Sequence, residues 1–287
     1  MKIGISTNSA DKTGYGRWGE NTYNKLKEHG FSCADFNMMD TESFIYSGEE
    51  SGVLDFLLKE KELSAKAEIE ISQVHGPWCW PIRDTTSEGL QERMDKMKKS
   101  IYFTSFLGCK KWVVHPVMPY GVVDKHTQNA FKTRETNLSF FRELLKTAKE
   151  YEVTICLENM PFTEFSVATP EDILSIVNEI DDENFKICLD TGHVAAFGNL
   201  DLSEETRRLG NKIKALHVHD SVKGQDLHLT PCCGSIDWED FAKALKDINF
   251  DGVFSLETSP PRKLPDNLFE QYGILLGKIA KEIARAI

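Results

Sequence analysis

The chain lacks a basic excess. Its 287 residues carry 34 Lys and Arg against 45 Asp and Glu, a net charge of −11. Proteins that grip nucleic acid usually concentrate Lys and Arg to meet phosphates, so this balance counts against a nucleic-acid partner. The seven cysteines include no C-x-x-C pair and are odd in number, which signals neither a disulfide framework nor a cysteine zinc site. Reduced thiols suit a cytoplasmic protein. No apolar run approaches the roughly 18 residues that a membrane span needs. The N-terminal "MKIGISTNSA" reads as a short strand rather than a leader. The stretch after it, "STNSADKTGYG", lacks the glycine-rich phosphate loop that a doubly wound dinucleotide fold would need. No low-complexity linker divides the chain, so residues 1–287 are expected to form one domain that is cytoplasmic and free of the membrane.

Short apolar runs alternate with longer amphipathic segments. Strands are expected at 2–7, 33–38, 68–76, 111–116, 153–159, 185–192, 212–220 and 252–258. Helices are expected at 17–29, 50–63, 88–108, 134–151, 170–180, 203–210, 237–248 and about 266–286. Leu138, Phe141, Leu144, Leu145 and Ala148 follow the i, i+3, i+4, i+7 spacing of one helix face. Thr169 before Pro170 and an acidic turn reads as an N-cap. Eight strand–helix units predict an α/β protein with a (β/α)8 TIM barrel fold. The polar stretch 117–133 is long for a strand-to-helix loop and is expected to shape the mouth of the barrel.

The strand ends carry the chemistry. His75, His115, Glu158, Asp190 and Glu257 end the third, fourth, fifth, sixth and eighth strands, the seventh carries His217 and His219, and His193 lies just beyond the sixth. In a barrel these ends face one another across the mouth. Strand parity puts Thr154, Cys156 and Glu158 on one face, as it does Cys188 with Asp190, Ala215 with His217 and Ser255 with Glu257. Val153, Ile155 and Leu157 fall on the other face, toward the helices. Ionised carboxylates gathered away from water repel one another and lose hydration, and a divalent cation resolves both problems. One imidazole and three carboxylates, from His217, Glu158, Asp190 and Glu257, suit Mn²⁺, Mg²⁺, Co²⁺ or Zn²⁺. Asp220 fits a turn-former after the seventh strand as well as a site residue. His29 and His126 read as surface residues.

The pieces "VHGPW" (74–78), "VVHP" (113–116), "CLEN" (156–159), "CLDTGH" (188–193), "LHVHDS" (216–221), "DLHLTPCCGSIDW" (226–238) and "SLET" (255–258) fall in the order found in one family. By them the chain resembles the xylose-isomerase-like TIM barrels, which include sugar and sugar-phosphate isomerases and epimerases and endonuclease IV. The resemblance implies a divalent metal on Glu158, Asp190, His217 and Glu257, with His219 as the rival of His217. It places a D-x-H pair on Asp226 and His228. In multinuclear members such a pair completes a further metal site with His75, His115 and His193; in single-metal members these positions hold substrate. The family's P-G-x-G-x-I-D-W loop departs here, with Cys232 in place of the first glycine, which strains the loop if that position needs positive φ.

What the resemblance implies about activity is a sugar or sugar-phosphate isomerase or epimerase that abstracts a proton beside a carbonyl and passes through an ene-diolate. Glu158 and Glu257 form the base/acid pair, and His193, His75 and His115 contact substrate. Trp78, with Trp80 and Phe197, offers an apolar wall, and Arg262 a cation for a phosphate or carboxylate. The main rival is a zinc-dependent, endonuclease IV-like phosphodiesterase, which the full ligand set favours. The absence of Lys and Arg from "ENMPFTEFSVATP" and "TGHVAAFGNLDLSEE" opposes it. A lyase or dehydratase on a keto-sugar or cyclitol shares the first step, and a non-catalytic sugar- or metal-binding barrel would show binding without turnover. Similar barrels form dimers and tetramers, so a homo-oligomer is compatible with the resemblance.

Overall fold

The structure, a computed structural model, describes residues 1–12 and 18–287. Residue 17, the expected start of the first helix, lies outside the described residues. The chain runs from β1 (Ile3–Ser6) through a 3-10 turn (Thr7–Ala10) to α1 (Glu20–Glu28). Next come β2 (Cys33–Asn37), the short α2 (Phe44–Ser47) and α3 (Glu50–Lys66), then β3 (Glu70–His75) and α4 (Ser87–Phe106). They are followed by β4 (Lys111–Val114), α5 (Asn129–Glu150), β5 (Thr154–Glu158) and α6 (Pro170–Ile180). The chain ends with β6 (Phe185–Asp190), α7 (Thr191–Ala195), α8 (Leu202–Leu209), β7 (Ile213–His217), α9 (Trp238–Asp247), β8 (Phe254–Leu256) and α10 (Asp266–Ala284).

The strands pair in parallel in the order β7-β6-β5-β4-β3-β2-β1-β8. A bridge between Val218 and Leu256 joins the two ends. There Val218 N donates to Ser255 O at 2.8 Å, and Glu257 N donates to Val218 O at 2.9 Å. The sheet is therefore a nearly closed TIM barrel with helices between its strands. No helix among the described residues is long and apolar enough to cross a membrane.

Each strand is buried on both faces, but the two faces differ. Val153, Ile155, Leu157, Ile187, Leu189 and Leu216 join the large core between sheet and helices. Val113, Cys156, Cys188 and Ala215 form a separate buried cluster inside the barrel. Interiors of such barrels are usually filled by bulky branched side chains, so this small-residue layer makes a low floor. Two residues further on, on the same face, come His115, Glu158, Asp190 and His217.

Most expected elements are present, and their ends shift by a few residues. The helix expected from 134 begins at Asn129, where Thr127 Oγ1 accepts from Asn129 N at 3.1 Å just ahead of the first turn. At α6 the expected cap is made in both directions: Thr169 Oγ1 accepts from Asp172 N at 3.2 Å, and Asp172 Oδ2 accepts from Thr169 N at 3.0 Å. The short α2 and α7 have too few residues to produce a readable periodicity.

His29 corrects an expectation. It is buried rather than on the surface, with 4% of its area exposed. Its Nε2–H donates to Glu270 of α10 at 2.9 Å, which meets the polar need of a ring closed in by that helix. Glycines let α10 approach so closely: a Cβ built on Gly277 would lie 1.9 Å from the His29 carbonyl oxygen. Overpacking of this kind costs about 1–3 kcal/mol. Gly277→Ala is expected to lower stability by that amount, read as a lower urea midpoint with an unchanged slope.

Candidate active site

The mouth is built upward from the small-residue floor. Glu158 ends β5, Asp190 ends β6, His217 ends β7 and His75 ends β3, while His115 and Glu257 follow β4 and β8. One ligand atom each from Glu158, Asp190, His217 and Glu257 lies within 4.8 Å of the others. The same closeness holds for His75, His115 and Glu158, and for His193, His219, Asp226 and His228. Glu158 also groups with Cys188 and His217, so it belongs to three overlapping groups, and the His193, His219, Asp226 and His228 group lies beside them.

The motifs around these residues are positioning devices. Asn159 clamps β6, its Oδ1 accepting from Asp190 N at 2.9 Å and its Nδ2 donating to Asp190 O at 3.0 Å. Asp190 Oδ1 caps α7 by accepting from His193 N at 2.7 Å. Thr191 Oγ1 donates to His219 O at 2.6 Å and accepts from His219 N at 3.0 Å, fixing the strand extension after β7. Gly192 makes room for the His219 ring, since a Cβ there would come within 1.9 Å of it. The sequence D-T-G-H is therefore a cap, a clamp, a gap and an imidazole in consecutive positions.

Beyond β7 the chain turns back on itself. Asp220 and Leu229 exchange two backbone hydrogen bonds of 2.8 Å. Asp220 is buried and structural: its Oδ2 accepts from Trp238 Nε1 at 2.9 Å, and its Oδ1 from Ser221 N at 2.8 Å. This hairpin returns Asp226 and His228 to the mouth, where His228 Nδ1 donates to Glu257 O at 2.8 Å. Cys232, in the position where the family pattern has glycine, takes φ +74°. The left-handed conformation expected to strain this loop is therefore present, at a residue with a Cβ.

Four imidazoles are oriented alike. His75, His193, His219 and His228 each direct Nδ1 to a backbone carbonyl, at 3.0, 2.7, 3.3 and 2.8 Å. Their Nε2 atoms remain for the site. His115 differs in leaving Nδ1 buried without a partner, with its Nε2 3.2 Å from Glu158 Oε2, and His217 differs in having a carboxylate at both nitrogens. Its Nδ1 lies 2.9 Å from Glu158 Oε1 and 3.6 Å from Glu257 Oε2, and its Nε2 lies 2.9 Å from Asp35 Oδ2. His219 instead lies with its Nε2 3.1 Å from Asp190 Oδ1 and its ring stacked 3.9 Å from that of His228.

Charge and burial oppose each other throughout. Burial would raise Glu158, but His217 and His115 hold it well below the usual carboxylate range. Burial would likewise raise Asp190, which His193 and His219 keep low. Burial lowers His219, yet Asp190 outweighs it and lifts the ring to about 9. At His115 burial wins over Glu158 and pushes the ring down to about 4. Polar atoms remain unmet: His75 Nε2, Glu158 Oε2, Asp190 Oδ2, His219 Nε2 and Asp226 Oδ1 are buried without a hydrogen-bond partner. The N/O donor groups gathered here could hold a metal ion.

Of the remaining expected residues, Trp78 packs edge-on against His115, with ring centroids 5.0 Å apart. Trp80 is 61% exposed and stacks on Phe162. Phe197 sits under Lys125, 5.7 Å from its Nζ. Arg262 stands exposed on the loop after β8 and is not among the side chains brought together here. His126 is exposed. The sequence reading missed Asp35, Gln73, Asn159 and Thr191. Asp35 and Gln73 carry a usable signal, since each is polar on the inward face of its strand, two residues from Cys33 and His75.

Comparisons with known proteins bear on the fold and the family. An uncharacterized protein of Methanocaldococcus jannaschii is 32% identical over 232 residues, 77% of this chain and 76% of its own. A D-psicose 3-epimerase of Enterocloster bolteae is 32% identical over 117 residues, 40% of this chain and 37% of its own. A probable endonuclease 4 of Mycoplasmopsis agalactiae is 25% identical over 192 residues, 63% of this chain and 66% of its own. The crystal structure of a D-tagatose 3-epimerase-like protein, 25% identical, superposes with a TM-score of 0.76 over 99% of this chain and 98% of its own. A structure of IolI protein with a zinc atom, 22% identical, shares the fold with a TM-score of 0.76 over 99% and 98% of the two chains. The family model described as xylose isomerase-like TIM barrel matches residues 23–272, and the chain belongs to that family.

Proposed function

We propose that this chain is a divalent-metal-dependent isomerase or epimerase of a small sugar or sugar phosphate, which moves a proton at a carbon beside a carbonyl. The observation that carries the reading is the group of Glu158, Asp190, His217 and Glu257, whose ligand atoms lie within 4.8 Å of one another at the barrel mouth. Relatives described as D-psicose 3-epimerase and D-tagatose 3-epimerase-like protein support the reaction class.

The donor set fits a divalent cation. Three carboxylates and one imidazole suit Mn²⁺, Mg²⁺, Co²⁺ or Zn²⁺, and the unpartnered Glu158 Oε2 and Asp190 Oδ2 are atoms such an ion would satisfy. When bound, the ion draws electron density from a substrate carbonyl and so acidifies the neighbouring C–H bond.

The proton is moved by the chain's own carboxylates. Glu158 and Glu257 stand on β5 and just after β8, separated around the wall by β6 and β7. One takes a proton from the substrate carbon and the other returns one on the opposite face, by way of an ene-diolate. Glu158, held to the ion through one oxygen, would keep the other to exchange the proton. His193, His75 and His115 hold substrate oxygens, and Trp78 supplies an apolar wall beside His115. Asp226 and His228, with His193 and His219, take either a second cation or the substrate's far hydroxyls. Arg262 is a cation available to a substrate phosphate or carboxylate.

A second reading, an endonuclease-like phosphodiesterase with several zinc ions, is favoured by the convergence of His75, His115, His193, Asp226 and His228 on the same mouth. The net charge of −11 and the absence of Lys and Arg from 158–170 and 191–205 oppose it. A lyase or dehydratase would share the first step and differ by releasing water.

Metal content per chain, measured by elemental analysis on protein purified without added metal or chelator, tests the reading. One divalent ion is expected, with epimerisation or isomerisation of a ketose seen by NMR in D₂O as exchange at one carbon. Two or three zinc ions with cleavage of an abasic oligonucleotide would install the second reading, and no uptake of metal would overturn both. Glu158→Gln and Glu257→Gln should each cut kcat by about 10²- to 10⁴-fold with circular dichroism unchanged; near-normal rates would remove them from the acid/base role. His217→Ala should lose the ion more completely than His219→Ala in a competition with a chelator, and the reverse order would transfer the ligand role to His219.

A further inference from the structure

We propose that Asp35 is the positioning residue of the metal centre: it holds the Nε2–H of His217 and so turns Nδ1 toward Glu158, Asp190 and Glu257. This rests on the reading above that those four side chains bind a divalent cation.

Asp35 lies in the middle of β2, on the far side of the barrel interior from Glu158, and only 2% of it is exposed. It accepts two hydrogen bonds at Oδ2, from His217 Nε2 at 2.9 Å and from Gln73 Nε2 at 3.0 Å. Gln73 also donates to Leu216 O at 3.2 Å, tying the carboxylate to the backbone of β7 one residue before His217. The other oxygen, Oδ1, is buried without a partner. Asp35 belongs to none of the groups of clustered ligand atoms.

A buried carboxylate is an expensive way to receive one N–H. The other imidazoles show the cheaper solution, since His75, His193, His219 and His228 each use a backbone carbonyl. Unlike those four, His217 has a carboxylate rather than a carbonyl at the nitrogen turned away from Glu158 and Glu257, and it presents Nδ1 rather than Nε2 to them. The cause is geometric. The two nitrogens of this ring face opposite ways: Nδ1 lies 2.9 Å from Glu158 and 3.6 Å from Glu257, while the oxygen facing Nε2 belongs to Asp35. Both nitrogens face a carboxylate oxygen at 2.9 Å; a divalent cation among Glu158, Asp190 and Glu257 would take the lone pair of Nδ1 and release any proton there to solvent, while the charge-assisted bond to Asp35 keeps the proton on Nε2. The ring is also held in its plane, stacked 5.2 Å from His75 at an interplanar angle of 8°. This is the arrangement by which a carboxylate behind a histidine fixes both its tautomer and its orientation toward a metal.

The test compares the wild type with Asp35→Asn, which keeps the shape and removes the charge. Metal-free protein is titrated with Zn²⁺ and separately with Mn²⁺ by calorimetry. Asp35→Asn should bind each ion about 10- to 100-fold more weakly, while the melting temperature of the metal-free protein stays close to that of the wild type. Spectra of protein labelled with ¹⁵N-histidine and loaded with Zn²⁺ should show the His217 proton on Nε2 in the wild type. Equal affinities in the two proteins, or a proton on Nδ1 in the loaded wild type, would overturn the role of Asp35 while leaving the metal reading standing. If the variant does not fold, the tautomer in the wild type decides alone. Absence of metal uptake by the wild type would overturn the metal reading and the role of Asp35 with it.

Discussion

The structure depends on one constraint: strands of a parallel barrel deliver alternate side chains to a shared interior, layer upon layer. Val113, Cys156, Cys188 and Ala215 make one layer. The step of two residues places His115, Glu158, Asp190 and His217 in the layer above. The small volume of the lower layer matters as much as the chemistry of the upper one. Bulky branched residues there would raise the floor into the space that the carboxylates and imidazoles occupy. The barrel thus trades part of its usual apolar filling for a polar chamber, and the large core between sheet and helices, which runs from Ile3 to Ala284, carries the stability instead.

A chamber of this kind is held together by opposite charges before any ligand arrives. Burial disfavours every ionised group in it, yet His217, His193 and His219 rest above their ordinary values and Glu158 and Asp190 below theirs, because each faces the other kind. Pairing of this sort is an arrangement that a cation can replace. A divalent ion among the carboxylates does what the imidazolium protons do in its absence, with stronger and more directional bonds. The unpartnered buried atoms around Glu158 and Asp190 mark the same incompleteness. The chemistry we propose uses that feature: a carboxylate bound through one oxygen keeps the other free to carry a proton.

The segments around the chamber are built for placement. Asn159 and Thr191 spend their side chains on the backbones of neighbouring strands, and Gly192 contributes only room for His219. Asp220 is spent on the return loop, through Trp238 and Ser221. None of these residues needs to touch a substrate for its loss to displace one that does. Asp35 belongs with them on the opposite side of the chamber, acting on His217 from behind.

Periodicity and local chemistry were enough to read the eight strand–helix units, the inward faces of the strands and the ordered run of histidines and acids at their ends, because parity along a strand and capping at a helix are short-range rules. The six strand-end residues come together as that parity implies. The same rules could not set where α5 begins, since polar residues after β4 serve equally as loop or as a first turn. They read His29 as a surface residue because its partner, Glu270, comes from the other end of the chain and no local pattern links them. His217 and His219, two apart in one strand extension, are alike in sequence; only the three-dimensional structure separates them, giving one to Glu158 and Asp35 and the other to Asp190 and the His193–His228 group. Asp35 could be noticed as a charge in an apolar run, but its meaning comes from β7, 182 positions away in the chain. The sequence by itself therefore determined which side chains reach the interior, by alternation. The tertiary structure decided which of them meet, because barrel closure brings distant strands into one layer and the hydrogen bonds across it select the nitrogen that each ring presents.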